Sequence, residues 1–356
     1  MKQTIKYCFL CFLLSRLIVL GVAYATFYSF DHPPAPPGYA ETQGPLDRKP
    51  LNVLFFYDSV HYLTIANEGY GLFQTAWFPL YPLLIRLTGG TAASAVAVSN
   101  IMFFLGLLAV FKLGGRKAVL LASVSPIGIV FSVAYSESLF FCICSWFFVF
   151  LKEQKYLYAG TLAGLGAMCR SPGWVLIAVL AFSIFDRYKI KDKVVSLGVG
   201  GLIGLLFPAF LLAVFKDVQV FTIVNNALFS RVLMPFWWGT VQDISRLFTG
   251  QFYPALITVV VLNLSGWLWI FASFFAPRLR LSGILYALMV LSFPITRMDY
   301  VHATFGLLRY ACVWPGAYLG LEQMLRTKTG YYLFIIASSA LAVFVSFLVA
   351  QKAFIF

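Results

Sequence analysis

Charged side chains are scarce in this chain. Asp, Glu, Lys and Arg make up 11% of its 356 residues, about half the share of a soluble globular domain, which excludes a soluble fold. Acids are the scarcer sign, with 13 Asp and Glu against 26 Lys and Arg. The period-2 alternation of a membrane barrel is absent. No segment recurs at a constant period, so solenoids and propellers are excluded. Two halves with matched broken helices, a mark of many transporters, are not found either.

What is abundant is apolar surface: 61% of residues are hydrophobic and 18% aromatic, and the mean hydropathy is +0.87. The chain is expected to be an all-α polytopic membrane protein, one domain over residues 1–356, with about eleven spans of roughly the length that crosses 30 Å of hydrocarbon. The expected spans are Ile5 to Phe30, Thr91 to Phe111, Ala118 to Ala134, Ser136 to Leu151, Tyr156 to Cys169 and Gly173 to Phe185. Val194 to Phe215, Tyr253 to Ala276, Leu281 to Thr296, Thr304 to Leu321 and Tyr331 to Ala350 complete the set. Helices follow because a backbone in lipid must satisfy its own hydrogen bonds.

The formal net charge of +13 reads as topology rather than as a nucleic-acid footprint. With the N-terminus cytoplasmic, Lys2, Lys6, Lys112, Arg116, Lys117, Lys152, Lys155, Arg187, Lys189, Lys191, Lys193, Arg278, Arg280, Arg326 and Lys328 fall on the inner side, 15 of the 26 Lys and Arg. Asp31, Asp58, Glu68, Glu137 and Asp299 fall outside. Lys2, Lys6 and the Ala23-Tyr24-Ala25 stretch resemble a cleavable signal, but the apolar run continues to Phe30, longer than a typical signal core, so a retained helix is expected. All six cysteines lie in expected spans, where thiols pack as small apolar groups, and Cys8-x-x-Cys11 is a weak metal or redox motif.

Polar residues concentrate outside. Residues 31–90 form the first external loop and residues 216–252 the second. The Pro-rich Asp31 to Asn52 stretch is expected to be irregular. Val53 to Gly71 reads as an amphipathic helix on the membrane, with Phe56, Val60 and Leu63 on one face and Asp58, His61 and Tyr62 on another. Trp77-Phe78-Pro79-Leu80-Tyr81-Pro82 suits a helix start or a rigid turn.

Asp58 and His61, three residues apart, share one side of a helix, which fits a general base, a metal pair or a cap. Glu137 follows Ser136 at the start of a span, where Ser136 would cap the helix. Arg170 sits at an external turn, where snorkelling to headgroups is the plain role. Short spans meeting at polar turns imply a recess suited to a lipid phosphate. Arg170, Arg297, His302 and Arg309 are candidate contacts to it, since Arg can hold two phosphate oxygens.

Four motifs in order, Asp58-Ser-Val-His61-Tyr62, Phe78-Pro-Leu-Tyr-Pro82, Tyr135-Ser-Glu137-Ser-Leu139-Phe140 and Arg170-Ser171, resemble the PIG-V family. These are the GPI mannosyltransferase 2-like proteins and their bacterial relatives, in the GT-C class of membrane glycosyltransferases. Phe56-Tyr57 stands where that family often has Arg-Trp, and the chain is shorter than eukaryotic members, which favours a bacterial or archaeal plasma membrane over the ER. The resemblance implies inverting transfer of a sugar, mannose foremost, from a polyprenyl- or dolichyl-phosphate carrier to a lipid or glycan acceptor on the non-cytoplasmic face. Asp58 would be the base, with His61, Tyr62, Glu137, Arg170, Arg297, His302 and Arg309 around the substrate. No cofactor is required on this reading, although a divalent metal at Asp58 and His61 stays an alternative. Membrane lipids are the other partners. A secondary transporter and a membrane scaffold subunit are the competing functions; Arg16 and Arg309, charges inside spans, are the features that favour the transporter.

Overall fold

The computed structural model describes residues 2–31, 49–183, 189–229, 237–250, 256–276, 279, 283–285 and 307–351. Helices dominate and no strand occurs among these residues. Five helices are long and apolar enough to cross a membrane: α1 (Lys2–Ser29), α4 (Ala92–Ser123), α8 (Ile190–Phe215), α11 (Leu256–Ser273) and α14 (Lys328–Ala350). This is the architecture of a helical, multi-pass membrane protein. Shorter helices fill the rest: α2 (Asp58–Glu68), α3 (Leu80–Leu87), α5 (Glu137–Lys152), α6 (Tyr156–Cys169), α7 (Trp174–Phe182), α9 (Val220–Phe229), α10 (Trp238–Thr249), α12 (Leu307–Cys312) and α13 (Pro315–Met324).

Two expected spans take another form. Ala118 to Ala134 is not one helix: α4 runs on to Ser123 through a kink at Gly115, whose φ of 80° suits a residue without a Cβ. Residues 124–136 then form a buried, irregular segment. Pro126 lies at its start, where its ring and missing N–H disfavour helix. The described part of the Thr304 to Leu321 span, residues 307–321, is two helices, α12 and α13, parted before Pro315. Leu281 to Thr296 lies outside the described residues apart from 283–285, as does the Pro-rich stretch apart from its ends.

The Val53 to Gly71 stretch also differs from a single amphipathic helix. A 3-10 turn (Pro50–Leu54) precedes α2, and Ser59, Tyr62, Ile65 and Ala66 form the buried side of α2. Tyr62, assigned to the polar face by its hydroxyl, is turned inward because that hydroxyl has a partner in the core. The Trp77-to-Pro82 stretch does start a helix, with Pro79 as the N-cap of α3.

An irregular backbone at membrane depth survives only where protein satisfies its polar groups. Arg16, in α1, donates to the Gly128 carbonyl at 3.1 Å and to Asn100 Oδ1 at 2.9 Å. Asn100 donates onward to Ser132 O at 3.1 Å, and Ser99 to Tyr135 O at 3.0 Å. Phe103, Phe131 and Phe141 pack alongside, the first two stacked at 4.7 Å between ring centroids. Arg16 is thus a pin for carbonyls, and among the described residues it meets no carboxylate.

Alpha-helix α5 is buried along most of its length and joins two chemically different ends. One end begins at Glu137. The other ends at Lys152, beside Lys112 and Glu153, which pair at 3.3 Å. Tyr7 and Tyr331 donate to the carbonyls of Arg116 and Lys117 at this same end of α4. The basic residues assigned to one side of a membrane by sequence therefore gather at one end of the bundle, on the order of 24 Å from Glu137 by helix rise.

Candidate active site

At the opposite end, four charged side chains from four parts of the chain meet. Asp58 is the first residue of α2, Glu137 the first of α5, Arg170 follows α6 and Arg309 lies in α12. Tyr57, before Asp58, adopts a positive φ of 44°. That conformation costs a residue with a Cβ about 1–3 kcal/mol and is found where surroundings impose it. Arg170 is held by the close approach of α6 to α8: a Cβ at Gly164 would come within 2.6 Å of the Gly200 carbonyl oxygen. Small residues spaced by four on both helices permit that approach.

The ion pairs form one chain. Arg309 Nη2 donates to Asp58 Oδ2 at 2.5 Å, and Arg309 Nε donates to Glu137 Oε1. Arg170 Nη1 donates to the same Glu137 oxygen at 2.5 Å and to Ser136 Oγ at 3.1 Å. Two carboxylates and two guanidiniums make the set formally neutral. Tyr135 lies under Arg309, 4.6 Å from its guanidinium carbon, and Tyr310 under Arg170 at 5.1 Å.

The two carboxylates are not equivalent. Glu137 has a side-chain exposure of 0%, whereas Asp58 keeps 21%. Glu137 is locked between two cations, and among the described residues its buried Oε2 has no hydrogen-bond partner. Asp58 Oδ1 accepts the Trp77 indole N–H at 3.1 Å. Burial alone would raise the Asp58 carboxyl, but the Arg309 charge and hydrogen bond, the Trp77 N–H and His61 outweigh it and hold it below the ordinary aspartate value. Asp58 is therefore ionised at neutral pH.

His61 does not bond Asp58 directly. Its ring stacks on Trp77 at 3.7 Å between centroids, so the indole bridges the two residues. Burial holds the imidazole below its usual value, against the pull of Asp58. His61 is thus neutral near pH 7, an aromatic wall rather than a cationic phosphate contact. Tyr62 reaches Ser136 Oγ at 2.8 Å and buttresses the floor of the site.

Two plain readings give way here. Neither the Asp58 nor the Ser136 side chain caps a helix, although Ser136 occupies the N-cap position of α5: the Asp58 oxygens go to Arg309 and Trp77, and the Ser136 hydroxyl to Arg170 and Tyr62. Arg170 does not snorkel, being 8% exposed and paired with Glu137. Among the described residues no three His, Cys, Asp or Glu side chains gather as metal ligands. The cation that joins Asp58 to Glu137 is Arg309.

Of the expected site residues, Asp58, His61, Tyr62, Glu137, Arg170 and Arg309 come together. Arg297 and His302 lie outside the described residues. Sequence reasoning missed Trp77 and Tyr310 as members of the site. Trp77 reads as a headgroup-belt aromatic, and only its position between Asp58 and His61 distinguishes it. No protein-family model matches the chain, and no curated protein matches it.

Proposed function

We propose that this chain is an inverting GT-C-type glycosyltransferase that moves a sugar, mannose foremost, from a polyprenyl-phosphate carrier to an acceptor hydroxyl on the non-cytoplasmic face. The observation that carries the reading is Asp58: a partly open carboxylate in contact with an arginine, with a second arginine one carboxylate further in. A transferase using a lipid-phosphate donor needs a base beside a cation, because a proton leaves the acceptor while charge develops on the phosphate.

In the reaction, the acceptor oxygen attacks C1 of the sugar and passes its proton to Asp58. The bond from C1 to the phosphate oxygen breaks, and polyprenyl phosphate leaves with the bonding electrons. Arg309 stabilises that anion, with Arg170 holding Glu137 beneath it. A single displacement inverts the anomeric centre. Glu137 is too enclosed to serve as a second, nucleophilic carboxylate, which favours one displacement over two. Base catalysis by a positioned carboxylate supplies about 10²- to 10⁴-fold.

Placement supports the same reading. The site lies at the end of α5 and α6 away from the basic residues, which the positive-inside rule assigns to the non-cytoplasmic side. Those helices, with 16 and 14 residues, rise about 24 and 21 Å, less than the roughly 30 Å of hydrocarbon. A site at the end of helices this short is recessed from the headgroup plane, which suits a lipid-linked phosphate drawn inward from it. Arg16, one of the two features that favoured transport, is occupied by the Gly128 carbonyl, Asn100 and Ser15. The test is transfer from polyprenyl-phosphate-mannose to extracted lipid acceptors by purified protein: Asp58→Asn should lose at least a hundredfold in rate, and unchanged transfer would remove the proposed base.

A further inference from the structure

Arg309 has more acidic claimants than its position first suggests. Its Nη2 serves Asp58 and its Nε serves Glu137, and among the described residues its Nη1 makes no hydrogen bond. A guanidinium carries five N–H donors in a planar fork that matches a phosphate as well as a carboxylate. The four charges already cancel, so a phosphate arriving at this cluster brings an anion that finds no cation in reserve among the described residues of the site. It must share an arginine with a carboxylate or displace one.

Only one displacement is open. Glu137 is fully enclosed and holds two arginines, so releasing it would strand a buried charge. Asp58 is partly exposed and keeps the Trp77 N–H after losing Arg309. Arg309 in turn keeps Glu137 through Nε, so a pivot of its outer edge suffices.

Resting on the transferase reading, we infer that a lipid-linked phosphate takes Arg309 from Asp58, and that this exchange turns Asp58 from a paired counter-ion into a free base only when donor is bound. In the resting site Asp58 is a poor proton acceptor, because its negative charge is spent on Arg309. With Arg309 on the phosphate, the carboxylate loses the partner that most favours its ionised form and gains proton affinity where the acceptor hydroxyl arrives. After transfer, Asp58 carries the proton and polyprenyl phosphate holds Arg309. Loss of that proton to solvent lets Asp58 reclaim the arginine and expel the product. Without donor the base stays masked, which protects against idle proton transfer.

The exchange predicts something a simple base does not: a variant that cannot transfer sugar should bind the phosphate better. The probe is sugar-free polyprenyl phosphate, titrated against protein in nanodiscs, with phosphatidic acid and inorganic phosphate as parallel ligands. Asp58→Asn should bind polyprenyl phosphate about tenfold more tightly than wild type, which is about 1.4 kcal/mol. Asp58→Ser is the second variant, should the amide not fold. Arg309→Gln should lose most of the binding, and Asp58→Asn with Arg309→Gln should show none of the gain. A gain that survives removal of Arg309 would mean a general field effect and would overturn the exchange, as would equal or weaker binding by both Asp58 variants. Equal gains for phosphatidic acid or inorganic phosphate would place the selectivity in the phosphate alone; a gain limited to polyprenyl phosphate would add the isoprenoid chain to what is recognised. Because no sugar is present, the two readings separate. Tighter binding without transfer of any sugar leaves the exchange standing and the transferase fallen, and transfer without tighter binding does the reverse.

Discussion

Arg309 Nη2 lies 2.5 Å from Asp58 Oδ2 although the two residues are 251 positions apart in the chain. The contact ties the start of α2 to the C-terminal helices. It also determines how Asp58 responds to pH.

Because Arg309 and Trp77 depress the Asp58 carboxyl, the stabilisation from this pair is complete above the ordinary aspartate value, about 3.9, and is lost as pH falls through the lower folded value. Arg309→Gln removes the main depressing partner while burial still acts. The acid limb of a pH–rate profile should then move to higher pH than in wild type. An unmoved limb would separate Asp58 from the group that titrates.

Glu137 holds two arginines on one oxygen in a fully buried position. Glu137→Gln leaves those cations without their shared anion, and breaking a buried pair from one side costs about 3–5 kcal/mol. A marked fall in thermal unfolding temperature in detergent is expected. Adding Arg170→Met to Glu137→Gln should recover part of it, since one stranded cation is removed.

Arg16 should matter for order more than for helix content. Arg16→Met leaves Asn100 Oδ1 without its Arg16 donor and Gly128 O with only the Ser132 hydroxyl at 3.3 Å, and a buried unsatisfied group costs about 1–3 kcal/mol. Amides of residues 125–135 should exchange with deuterium faster, with the circular dichroism of the helices preserved. Arg16→Lys, which keeps a cation with a single reach, should fall between.

The turn after α6 leaves no room at Gly173, where a Cβ would fall on the Gly166 carbonyl oxygen. Gly173→Ala must part α6 from α7 and shift Arg170, three residues earlier. A stability loss of about 1–3 kcal/mol is expected for such overpacking, together with reduced transfer. Gly198→Ala, on α8 with nothing within 4 Å of its added Cβ, is the control. It should be neutral or stabilising by up to about 1 kcal/mol through helix propensity. Thermal melts of the two variants side by side decide it.

Membrane character and the all-helical class are legible in the sequence, because hydropathy is summed locally and needs no tertiary contact, whereas about eleven spans were expected and α4 was divided between two of them. Asp58, Glu137 and Arg170 are legible for the same reason, as polar residues at breaks in apolar runs. The irregular segment 124–136 is not. It is as apolar as a span, and its departure from helix depends on Arg16, Asn100 and Ser99 taking carbonyls from another direction. Pro126 is its only local sign. Likewise, the face that α2 buries follows from Ser136 lying opposite Tyr62, not from the spacing of its apolar residues.

By itself, then, the sequence determined that the chain is helical and membrane-embedded, and which few residues can do polar chemistry there. Tertiary structure alone decided which charge meets which. Arg309 could have been a free phosphate contact, and His61 a ligand or a cation. Packing α12 against α11 let the Arg309 side chain bridge two carboxylates, and the Trp77 ring kept His61 apart from Asp58. Ion pairing falls off steeply with distance and burial, so partners are set by the folded arrangement of helices and not by spacing along the chain.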